Sequence, residues 1–130
     1  MTSKNNRVFF EGMEVDQNRN RPYYKIDIED AECSVYISKK IVQEIYDDSK
    51  EDKVLIAILL ACIEYIRKST STDKHIIGRL EEDVMAKAIK KLLVNYQIET
   101  LILYLKQLKW YEIKPILVAP NPKEELEKII

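Results

Sequence analysis

The stretch VLIAILLACIEYI, Val54 to Ile66, runs for thirteen residues with one charged side chain, Glu64, in a chain of which 33% is Asp, Glu, Lys and Arg. So apolar a segment has three uses: to cross a bilayer, to fill a core or to meet a partner. As a helix it covers only about 20 Å at about 1.5 Å per residue, short of a hydrocarbon layer of about 30 Å. Its flanks, KEDK before and RK after, are mixed charges that do not lengthen the apolar run. A buried central helix over 53–68 is therefore expected, apolar around nearly its whole circumference and enclosed by protein. Glu64 is the exception, and it is expected to reach solvent near the helix end or to meet a cation such as Lys68, four residues on.

The rest of the chain supplies what must surround that helix. Residues 7–37 read as a β element. In YYKIDI, Tyr24, Ile26 and Ile28 alternate with Tyr23, Lys25 and Asp27, and in CSVYI, Cys33, Val35 and Ile37 alternate with Ser34 and Tyr36. With RVFFEGMEV before the polar turn DQNRNRP, and the short link EDAE, these segments form a three-stranded antiparallel meander. From Ser38, a candidate N-cap, the period changes from two to 3.6, and residues 39–109 read as helical. Ile41, Val42, Ile45 and Tyr46 make one helical face, and Ser49 with Asp52 forms a capping box ahead of the central helix.

After the linker STSTD, a third helix is traced by Ile76, Ile77, Leu80, Val84, Met85, Ala88, Ile89, Leu92 and Leu93. A fourth is marked by Ile98, Leu101, Leu105 and Leu108. WYEIKPILVA, at 110–119, is rich in aromatic and β-branched residues and holds Pro115, so it reads as an extended strand returning to the sheet edge. Asn121, Pro122 and Glu124 start a short terminal helix over 122–130. The expected fold is α+β. One domain over 1–130 holds an N-terminal antiparallel meander of three or four strands packed with about four helices.

Twenty-one basic residues against twenty-two acidic ones provide no global field toward nucleic acid or anionic lipid. Cys33 and Cys62 lie in apolar runs without ligand spacing, and MTSKNNRVFFEG lacks a signal-peptide core, so reduced thiols and a cytoplasmic location are expected. His75 is the only histidine and has no second His or Cys at ligand spacing. Two glycines in the whole chain leave little for a phosphate-cradling loop. The carboxylates Asp47, Asp48, Glu51 and Asp52 read as a solvated helix junction. Glu112 to Lys114 matches the acid-x-lysine element of metal-assisted nucleases without its partner aspartate. No catalytic residue, metal site or cofactor is expected.

The strongest local binding signal is NRNRPYYK. Arg19, Arg21 and Lys25 could contact phosphates while Tyr23 or Tyr24 stacks on a base, with Lys87, Lys90 and Lys91 as further basic positions. The alternation in VYISKKIVQEIYDD and RLEEDVMAKAIKKLL resembles, in outline and over about half the chain, the GINS-type replication subunits; it matches no specific motif and carries over no functional residue.

Apolar faces outnumber catalytic candidates, which makes a non-catalytic protein–protein interaction subunit or regulator of a larger assembly the leading expectation. Its candidate interface is Ile98, Leu101, Leu105, Leu108, Trp110, Tyr111, Leu126, Ile129 and Ile130, toward a protein partner or a second copy. The alternatives are a nucleic-acid accessory protein using the Arg19 to Lys25 turn and a metal-assisted nuclease or hydrolase. No membrane partner is expected.

Overall fold

The computed structural model describes residues 7–10 by their backbone, and 12–17, 20–29, 31–70 and 79–130 in full. Alternation of apolar and polar residues gives β2 (Met13–Asp16), β3 (Tyr23–Ile28) and β4 (Cys33–Ser38) one face each for the core. Met13, Val15, Tyr24, Ile26, Ile28, Val35 and Ile37 are buried on it. With β1 (Arg7–Phe10) they form a four-stranded antiparallel sheet in the order β1-β2-β3-β4. RVFFEGMEV is thus two strands rather than one. Phe10 pairs with Met13, and the chain reverses between them where Gly12 takes φ +82°, a conformation a side chain would resist. Val15 opposes Ile26, and Ile26 opposes Val35, so one buried row runs across the sheet.

Ser38 ends β4 and caps α1 (Lys39–Ser49), its hydroxyl accepting the Lys40 N–H at 3.1 Å. Asp52 caps α2 (Lys53–Thr70), its Oδ1 accepting the N–H groups of Val54 at 2.8 Å and Leu55 at 3.3 Å. Ser49, expected to open that helix, instead closes α1 and accepts the Glu51 N–H at 3.3 Å. Then follow α3 (Glu82–Asn95), α4 (Ile98–Lys106), α5 (Trp110–Val118) and α6 (Pro122–Glu127), the last capped by Asn121. The expected first turn of the third helix, Ile76 to Gly78, lies outside the described residues.

Every residue from Ile56 to Ile63 is buried. One face of α2 lies on β2, β3 and β4, and its other sides meet α1, α4 and α5. α3 lies against α1, α5 and α6, closing a second helical layer. A single core cluster joins the sheet to all six helices. No helix among the described residues is long and apolar enough to cross a membrane.

WYEIKPILVA does not return to the sheet: it is the helix α5. The local composition favours a strand, but Trp110, Ile113, Ile116 and Leu117 fall on one helical face, and burying them against α2 and α3 outweighs the β preference. Pro115 sits on the exposed side, where it has no N–H to give the Tyr111 carbonyl. Pro115→Ala should therefore raise unfolding stability by about 1–3 kcal/mol, the helix-interior penalty less the entropy proline removes from the unfolded chain. Urea denaturation checks it. A neutral or destabilising result would restore the extended reading of this segment.

Candidate functional site

Past Tyr36 the sheet stops, and a cleft of about 260 Å³ opens between the end of β4, the side of α2 and the entry to α3. Its apolar lining comes from Ile37 and Ile41, from Leu60 and Ile63, and from Leu80 and Met85. Trp110, the first residue of α5, reaches it from behind. The Trp110 backbone N–H donates to the Thr70 hydroxyl at 2.8 Å, and that hydroxyl donates to the Ile66 carbonyl at 2.7 Å, which locks the start of α5 to the end of α2. The indole is wholly buried, yet its Nε1–H has no hydrogen-bond partner. An unsatisfied buried donor costs about 1–3 kcal/mol, which the burial of the large indole ring offsets.

One wall is charged. Glu64, a turn beyond Leu60 on α2, accepts from Arg67 Nε at 3.1 Å and Nη2 at 2.9 Å. Arg79 Nη2 approaches the same Oε2 at 2.9 Å, and the expected Lys68 ammonium lies 3.8 Å from it. Arg67 and Arg79 line the cleft together with Glu64 and Glu82, so this wall is charged and balanced. Arg67 and Glu64 are largely enclosed, whereas the Arg79 side chain is 69% exposed and that of Lys68 53%. Burial pushes the Glu64 pKa up, but the Arg67 hydrogen bonds and the charges of Arg67, Arg79 and Lys68 prevail and hold it below the ordinary glutamate value. A carboxylate held ionised this way is a weak proton acceptor.

The residues expected to bind nucleic acid divide between two faces. Arg19 lies outside the described residues. Arg21 donates to the Tyr23 hydroxyl at 2.8 Å, and Tyr23 packs edge-on against Tyr36 with centroids 5.1 Å apart. Tyr24 is buried beneath the sheet and is removed from the stacking candidates. Lys25 lies 3.9 Å from Asp27 and opposite Asp16. Glu14, Asp16 and Asp27 share this outer face, and Ser34 donates to Asp27 at 2.6 Å. Lys90 pairs with Asp48 at 2.9 Å, and Lys91 donates to the Pro120 carbonyl.

The expected interface is corrected more sharply. Ile98, Leu101, Leu105, Trp110 and Leu126 are buried in the chain's own core, and Leu108 packs against it. The face of α4 is used up by α2, whose apolar sides need apolar cover in every direction. Tyr111, Ile129 and Ile130 remain exposed.

Of the other candidates, His75 is outside the described residues. Glu112 sits in the first turn of α5 rather than on a strand, accepting the Lys109 N–H at 3.0 Å. Asp47 accepts from Gln43 at 2.7 Å. No group of His, Cys, Asp and Glu among the described residues could hold a metal ion. Cys33 is exposed, and Cys62 is buried with its thiol donating to the Met13 sulfur at 3.6 Å.

Sequence reasoning missed Tyr36, Arg67, Arg79 and the cleft itself. The spacing of Glu64 and Arg67 could have revealed the ion pair, and the alternation in CSVYI already placed Tyr36 beside Tyr23 and Lys25. Set against known protein families, curated proteins and solved structures, the chain matches none.

Glu64→Gln should cost about 1–3 kcal/mol at pH 7, because it removes the carboxylate that accepts two hydrogen bonds from the enclosed Arg67. A depressed carboxylate pKa contributes stability above the unfolded value of about 4.3, and that contribution fades as pH falls through the folded value. The gap between variant and parent, followed by Trp110 fluorescence in urea, should therefore narrow from pH 7 to pH 3. An equal gap at both pH values would contradict the ion-pair assignment.

Proposed function

We propose that this chain is a non-catalytic interaction subunit or regulator of a larger assembly, working in the cytoplasm, and that it receives its partner in the cleft beside β4. The observation that carries this reading is the cleft itself, an apolar lining beneath the exposed Tyr36 with the exposed Arg79 guanidinium at its side. Such a mixture of apolar surface and a few polar groups suits recognition. The ionisable side chains there do not form a catalytic set: Glu64 is committed to Arg67 and Arg79, and Glu82 is exposed at the rim. Tyr36, 57% exposed at the mouth, adds an aromatic anchor of the kind that dominates interface energies.

The second reading, a nucleic-acid accessory protein, draws on the exposed Tyr23 and Tyr36 pair with Arg21 and Lys25. Arg21 is engaged by the Tyr23 hydroxyl and Lys25 lies 3.9 Å from Asp27, which ranks it below the first.

A photoreactive benzoylphenylalanine at Tyr36 should capture a partner of defined mass in the cells that make the protein. The same group at Val94, exposed on α3, should not. Equal capture from both positions, or none from Tyr36, would overturn the proposal. Binding to a short single-stranded oligonucleotide that weakens steeply with salt would favour the second reading.

A further inference from the structure

We draw no further inference here: the strongest candidate, the hollow of about 230 Å³ between the Gly12 reversal and α2 lined by Met13, Ile28, Cys62, Tyr65 and Lys106, rests on a lone cysteine whose thiol already donates to the Met13 sulfur at 3.6 Å, and nothing in the structure shows what would fill it.

Discussion

From Ile56 to Ile63 the helix α2 has no side that faces water, and the rest of the molecule is arranged to make that so. A helix apolar on one stripe needs one neighbour; a helix apolar all round needs a layer on every side. The sheet gives α2 a floor of Val15, Ile26 and Val35, and α1, α4 and α5 supply the walls. Residues that look available for partners in the sequence, notably Ile98, Leu101 and Leu105, are consumed by this demand. The enclosure is also why α5 is a helix despite Pro115: the four large side chains Trp110, Ile113, Ile116 and Leu117 share one face only when the segment coils, and their burial exceeds the cost of one missing backbone bond.

The enclosure ends at Glu64, where the helix side changes from hydrocarbon to charge. A carboxylate there would be costly alone, and the structure offsets it with Arg67 one turn away and Arg79 from the approach to α3. Arg67 in turn is held in a place where only an ion-paired guanidinium is stable. The pair therefore behaves as a fixed polar boundary to the core, and it forms the charged side of the cleft. On the opposite side, the Thr70 hydroxyl joins the Ile66 carbonyl to the Trp110 amide, so the indole is positioned from its backbone rather than by its own ring nitrogen. That division leaves the ring N–H unengaged.

What could be read in the sequence is what depends on period. Two-residue alternation located β3 and β4, the 3.6-residue pattern located α1, α2 and most of α3, and the single-residue signals Ser38 and Asn121 marked true helix starts. The failures came where two local signals disagreed. In WYEIKPILVA, β-branched content and a proline argued for a strand, against a helical spacing of apolar residues that only the neighbouring helices make decisive. In RVFFEGMEV the apolar run masked a reversal that Gly12 permits. At Ser49 and Asp52 the capping pattern was present, but the roles were shifted by three residues because Ser49 still belongs to α1. The cleft was illegible for a different reason. Tyr36, Leu60, Glu64, Arg79, Met85 and Trp110 come from five separate segments, and no spacing within any one of them records that they meet.

That β3 is the one ladder partner of β4 among the described residues follows from the same topology. A meander adds each strand beside the last, so its final strand keeps an open side unless a later segment returns to it. The returning segment expected from the sequence would have covered an edge of this sheet, but the burial of Trp110 drew it into the helical layer instead. The demand that encloses α2 thereby leaves β4 without that covering segment and brings the Trp110 ring behind the cleft beside it. Filling that hollow from within would require a larger side chain at Leu60, Ile63 or Met85, each of which is set by packing on α2 or α3. The buried indole N–H without a partner among the described residues is the residual cost of that arrangement, and the enclosure of Trp110, Ile113, Ile116 and Leu117 offsets it.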